Sequence, residues 1–192
     1  NGLTQSLLQT TAPGFPDLYQ GTELETLSLV DPDNRRPVDF AKRSSLLERL
    51  REAPDPAARW QAAWENRVDG ALKLHLVHAA LTRRQADPAL FQQGSYLPLT
   101  VTGPAADHLC VFARQFEGRA FVVLVPRLLY TLCQGDPERL DGARWTETQV
   151  QADPTLPSGP WTDVLTGTQW TDLGADLGAS LTRAPLALLR PG

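Results

Sequence analysis

The sequence contains no methionine at all. A translated chain begins with one, and Asn1-Gly2-Leu3 carries no trace of a start, so the sequence is expected to be an excerpt from a longer polypeptide. Cysteine is nearly as scarce: two residues, Cys110 and Cys133, are too few for a disulfide framework. Cys110 lies in an apolar alternating run and reads as a small buried hydrophobe, and a cytoplasmic setting is the default. No apolar stretch approaches the roughly 18–20 residues that cross a bilayer, and no charged-then-apolar leader opens the chain. Clustered basic residues are missing too. The net charge of −4 is spread over both halves, and neutralising phosphates takes grouped Lys and Arg. Neither a nucleic acid nor a membrane is an expected partner.

What remains is an ordinary globular composition. Of 192 residues, 42% are hydrophobic and 21% charged, enough to bury a core in one large domain or two modest ones. The first half reads as helical. Asn1 to Thr10 suits a short helix with Leu3, Leu7 and Leu8 on one face, stopped by Pro13-Gly14. Three helix starts follow: Ser45-Leu46-Leu47-Glu48 as a capping box, then Asp55-Pro56 and Asp87-Pro88, each an N-cap acid before an N1 proline. The strongest helix runs from about Asp69 to Gln85. Its apolar residues cover most of the circumference and leave a polar stripe of His75, His78, Thr82 and Gln85.

The pattern changes near Gly94. Residues 109–113 and 120–125 read as strands joined by a hairpin turn at Glu117-Gly118. Shorter strand candidates lie at 95–99, 147–151, 161–165, 176–181 and 186–189. Many short strands at close spacing predict an antiparallel β-sandwich over residues 94–192, after a helical part over 1–93.

Two stretches carry unusual chemistry: "PGFPDLYQGTE" (13–23) and "DPDNRRPVD" (31–39). The second packs three Asp, one Asn and two Arg into nine residues braced by two prolines. Prolines fix backbone angles, so these side chains point in defined directions. Rigid carboxylates and guanidinium forks suit the donors and acceptors around a sugar ring. The same residues also suit an internal salt-bridge cluster that pins the loop, and residue chemistry alone leaves both readings open.

The first stretch resembles the eighth-strand region of the α-amylase family of (β/α)8-barrel glycosidases and transglycosidases. "LVDPDNRRPVDF" (29–40) is similar to the trehalose-forming branch of that family, as are "DGALKLHLVHAALTRRQADPALFQQGSYLPL" (69–99), "VPRLL" (125–129) and "WTDVLTG" (161–167). Leu24-Glu25-Thr26 departs from the pattern, where the family has an acid or an aromatic residue. The resemblance implies an α+β composite, the C-terminal end of a (β/α)8 barrel with a helical insertion followed by an antiparallel β-sandwich domain. It implies an isomerase that converts the reducing-end α-1,4 linkage of maltooligosaccharides into an α,α-1,1 linkage by intramolecular transglucosylation. The family's catalytic carboxylates lie on earlier barrel strands. None maps here, so the chain alone is expected to be inactive. Substrate contacts are expected from Asp33, Asn34, Arg35 and Arg36, with Asp31 and Asp39 orienting them, and with Asp17, Tyr19 and Glu23 as further candidates. Glu23 is equally suited to anchoring the loop backbone. The expected partners are a maltooligosaccharide and the remainder of the same polypeptide. No cofactor is expected.

Other features read as structural. His75 and His78 stand three apart on one helix face, a spacing that can hold a metal, but no third ligand lies nearby and none is expected. Trp60 and Trp64, at i and i+4, and Trp145, Trp161 and Trp170 read as packing rather than as platforms for sugar faces. Those tryptophans and the sandwich also motivate a rival reading, a non-catalytic carbohydrate-binding module. A different α-amylase-family transglycosidase is a third.

Overall fold

A computed structural model describes residues 1–192 except 27–29, 31, 33, 34, 137, 138, 182 and 183. Five α-helices precede the first strand among the described residues: α1 (Gly2–Thr11), α2 (Phe40–Arg51), α3 (Pro56–Glu65), α4 (Ala71–Ala86) and α5 (Pro88–Gln93). Their starts follow local chemistry. Asp55 and Asp87 cap α3 and α5, accepting from Ala58 N at 2.7 Å and Leu90 N at 3.4 Å, each with proline in the first turn. The capping box predicted at Ser45 is not a helix start. Asp39 caps α2 six residues before Ser45, accepting from Lys42 N at 2.8 Å, and Ser45 lies inside the helix. An earlier acid in register with a backbone amide supersedes a later capping pattern.

The apolar circumference of α4 makes it the centre of the helical layer. Leu74, Leu76, Val77 and Ala80 are buried there, with Leu7 of α1, Leu46 and Leu50 of α2 and Trp60 of α3 in the same cluster. Gly70 enters α4 at φ 84°, a left-handed conformation that a side chain resists. A Cβ there would also sit 3.2 Å from the buried Leu24. His75, expected on a polar stripe, is instead 2% exposed.

The strands are β1 (Ser95–Pro98), β2 (Val101–Thr102), β3 (Leu109–Phe116), β4 (Arg119–Pro126), β5 (Gln149–Val150), β6 (Trp161–Asp163), β7 (Gln169–Trp170) and β8 (Ala187–Pro191). Six form one antiparallel sheet in the order β1-β3-β4-β8-β6-β7, and β2 pairs with β5. The β3–β4 hairpin turns at Glu117 (φ 49°) and Gly118 (φ 76°), the two positive-φ positions that match strand twist in a two-residue turn. Residues 176–181, expected as a strand, form the short helix α6 (Leu177–Ser180), because Asp176 accepts from Gly178 N at 2.6 Å. The pair Gln169–Trp170 forms a strand that the sequence pattern did not indicate.

Period-two alternation sends the sheet's apolar residues to two different cores. Phe112, Phe121, Val123, Val125 and Leu188 join the helical cluster. Val111, Ala113, Val122, Leu124 and Leu189 join Trp145, Trp161 and Trp170 on the opposite face, beneath β2 and β5. Truncating Phe121, fully buried at the centre, would cost about 3–5 kcal/mol. The first core draws on residues from both sides of Gly94.

Arg114 of β3, 2% exposed, fastens the two layers together. Its guanidinium donates to the carbonyls of Gly94 (2.7 and 3.2 Å), Phe91 (3.0 Å) and Thr11 (3.5 Å). These carbonyls lie at the C-terminal ends of α5 and α1, where orphan acceptors and the helix dipoles favour a cation.

Candidate functional site

The segment between α1 and α2 holds every residue expected to touch a ligand. Its entry arm leaves α1 through Pro13 and Gly14 and is tied down from α4: Arg84 donates to Thr10 O at 3.2 Å and Gly14 O at 2.7 Å. Gln9 of α1 donates through its amide to the carbonyl of Asp17. A turn at Tyr19–Thr22 follows, with Thr22 donating to Tyr19 O through both its amide (3.0 Å) and its hydroxyl (2.7 Å). Gly21 sits there at φ 91°, and a Cβ on it would lie 3.1 Å from Val38 of the exit arm, so the two arms touch. Leu24, at the departure from the family pattern, is 5% exposed and belongs to the helical core.

Arg43 of α2 staples the arms. Its Nε meets the Glu23 carboxylate at 3.1 Å, its Nη2 donates to Gly21 O at 2.6 Å, and its Nη1 donates to Asp39 O at 3.0 Å. One planar fork thereby satisfies three acceptors on two strands of loop, which a lysine could not do. The sequence reading did not single out Arg43. Its position four residues after a capping Asp39 places it on the same helix face, and that was the available signal.

The expected site residues separate into groups. Glu23 and Asp39 are committed to the scaffold, Glu23 to Arg43 and Asp39 to the α2 cap. Asp17, Tyr19, Arg35 and Arg36 are exposed, Tyr19 at 48%. Asp31, Asp33 and Asn34 lie outside the described residues. The described part of the segment is thus a stapled base with one acid, one phenol and two guanidiniums at exposed positions. Large exposed apolar residues accompany it: Phe15 (90%), Val30 (61%) and Phe40 (56%). None of residues 1–93 that the structure describes forms a strand.

The other sequence candidates resolve as follows. Trp145, Trp161 and Trp170 are all 2% exposed or less and serve as core. Trp60 is buried, while Trp64, stacked on it at 6.4 Å, is 40% exposed under the Arg67 guanidinium. Both cysteines are free thiols; Cys133 is buried and Cys110 half-buried. Among the described residues no three His, Cys, Asp or Glu side chains are grouped as metal ligands, and no helix is long and apolar enough to cross a membrane.

No protein-family model matches the chain. The fold recurs as part of α-amylase-type enzymes: an α-amylase from Anoxybacillus superposes on all of this chain with a TM-score of 0.54 at 18% identity, a likeness of fold alone. More specifically, the chain is homologous to a portion of the maltooligosyltrehalose synthases. Two Mycobacterium tuberculosis proteins bearing that name are 38% identical over 167 residues, 87% of this chain. The solved synthase of Arthrobacter ramosus (an S44P mutant) matches 98% of the chain at 37% identity with a TM-score of 0.76. The chain spans 17% of the length of the curated relatives and 21% of that solved structure.

Proposed function

We propose that this chain is the C-terminal portion of a maltooligosyltrehalose synthase and supplies part of its substrate-binding wall. In this reading, residues 1–93 complete a (β/α)8 barrel and carry the substrate loop, and residues 94–192 form the following β-sandwich domain. The whole enzyme, a cytoplasmic isomerase, turns the reducing-end α-1,4 linkage of a maltooligosaccharide into an α,α-1,1 linkage. A carboxylate nucleophile and an acid about 5 Å apart cleave the terminal bond and leave a glycosyl-enzyme. The freed glucose then turns and attacks through its anomeric hydroxyl. Water competes for the same intermediate, so isomerisation depends on holding that glucose and excluding solvent.

The observation that carries the reading is the stapled loop. Arg43 fixes both arms, so Arg35 and Arg36 start from a rigid base. Asp31, Asp33 and Asn34 complete the proposed wall, with Asp17 and Tyr19 at its edge. Glu23 and Asp39 hold the loop's shape. Such loops at the strand ends are where barrel enzymes place substrate contacts. The catalytic carboxylates belong to the remainder of the polypeptide, and this portion alone is inactive. The rival reading of a carbohydrate-binding module is less favoured, because the three tryptophans of residues 94–192 are interior and Trp64 alone of the five is exposed.

The test is Arg36→Ala in the full-length enzyme acting on maltopentaose. The expected result is a shift from trehalose-ended product toward free glucose. An unchanged ratio of isomerisation to hydrolysis would remove Arg36 from the wall.

A further inference from the structure

Away from the loop, a groove of about 330 Å³ runs between α4 and the β6–β8 end of the sheet. His75, His78, Ala79, Thr82, Arg83 and Ala86 line it along α4, with Arg59 of α3 and Thr162, Asp163, Val164 and Arg190 opposite. The α4 residues span about 16 Å of helix. The volume lies at the lower end of small-molecule sites, about 300–1,000 Å³.

Most of its polar groups are spent on the protein. The Asp163 carboxylate accepts from Leu165 N and Leu188 N, both at 3.1 Å, and from the Thr166 hydroxyl. Arg59 donates to Leu50 O at 3.0 Å and Ala53 O at 3.5 Å. His78 contacts Arg51 through Nε2 at 3.2 Å, and Arg83 Nη2 lies 3.8 Å from Asp87. Two buried atoms have no partner: Arg83 Nε and His75 Nδ1. Unpaired buried polar atoms are costly, so both point to a missing complement.

The two orphans ask for opposite things. Arg83 Nε is a cationic donor and needs an acceptor, best an anionic one. His75 Nε2 lies 2.9 Å from the Leu165 carbonyl and must donate to it. The neutral ring then has a lone pair on Nδ1 and needs a donor. Eight residues of helix put the two positions about 12 Å apart. Arg190, exposed, adds a third guanidinium on the facing strand, and its Nη1 donates to the Pro191 carbonyl at 3.2 Å. The lining holds no aromatic carbocycle to stack on a neutral sugar.

We propose that this groove binds a small hydroxylated organic anion, a phosphate monoester of a polyol. Its phosphate lies toward Arg83 and Arg190, and a hydroxyl donates to His75 Nδ1. The site is separate from the loop between α1 and α2 and does not depend on the role assigned to that loop.

Calorimetric titration of the full-length polypeptide with glucose 6-phosphate tests it, with inorganic phosphate and glucose as the two halves of the ligand. Saturable binding at one site is expected, at least tenfold tighter for the ester than for either half. Arg190→Ala should weaken it at least tenfold, with Arg190→Lys retaining part of the affinity and an unchanged melting temperature certifying the fold. His75→Phe should remove the preference for the ester over inorganic phosphate. No heat with any anion, equal binding of the ester by the parent and Arg190→Ala, or glucose competing with the ester for the same site would each overturn the proposal. Absence of binding would include the case in which the rest of the polypeptide fills the groove.

Discussion

Arg43 Nε and the Glu23 carboxylate meet at 3.1 Å across twenty residues of sequence, and the same guanidinium holds the carbonyls of Gly21 and Asp39. Both side chains are partly solvated, so the ion pair itself contributes little, about 0–1 kcal/mol. The two carbonyl bonds matter more, because they fix backbone on both arms.

Arg43→Gln should therefore loosen the loop before it destabilises the molecule. Cleavage by a nonspecific protease within residues 13–39 should accelerate several-fold, while the free energy of global unfolding falls by no more than about 1–2 kcal/mol. A protease pattern identical to the parent's would mean that the loop is held by something else.

Arg114→Met should be far more damaging. The methionine fills the volume but leaves the Gly94, Phe91 and Thr11 carbonyls without their buried donor. A loss of about 3–5 kcal/mol, from three buried carbonyls left without a donor, is expected from urea unfolding. A loss below about 1 kcal/mol would show that water reaches those carbonyls and that the guanidinium does not join the layers.

Asp163 and His75 give stability opposite pH dependences. Burial pushes the Asp163 carboxyl up to about 6, against the pull of its hydrogen bonds from Thr166, Leu165 and Leu188. The protonated form is thus favoured by the fold. Its contribution is complete below the unfolded value of 3.8 and is lost as pH rises through about 6. His75 runs the other way. Burial lowers its pKa from 6.5, so its neutral ring contributes above that value and the contribution is lost as pH falls through the lowered folded pKa.

Asp163→Asn separates the two. The amide oxygen can still accept from Leu165 and Leu188, and no charge is buried. The variant should be more stable than the parent near pH 8 by about 1–3 kcal/mol, with the gap closing toward pH 4. Thermal melts across that range measure it. A gap independent of pH, or a parent more stable at the alkaline end, would mean that the buried carboxylate is fully compensated by its donors.

Local chemistry made much of this fold legible. Asp55-Pro56, Asp87-Pro88 and Glu117-Gly118 each specify a cap or turn within four residues, and each formed as the sequence indicates. The apolar run at 120–125 and the apolar circumference of α4 were equally readable. Where the reading failed, a competing local bond decided the outcome. Asp39 captured the start of α2 ahead of Ser45, and Asp176 curled a stretch with strand-like spacing into a helix. The clamp at Arg43 was hidden for another reason. Its partners lie four, twenty and twenty-two residues away, and a single charged residue in an ordinary helix carries no sign of distant acceptors. Arg114 was invisible in the same way, as a lone cation in an apolar strand.

The strand order also governs when the molecule can complete itself. β8 is the final strand in the sequence yet runs between β4 and β6 in the middle of the sheet. A ribosome that has released everything through β7 has produced two separate β fragments with an unfilled slot between them. Leu188 and Leu189, which project into the two opposite cores, arrive only with β8. Removal of residues 187–191 would therefore divide the sheet at its centre instead of shortening it at a margin.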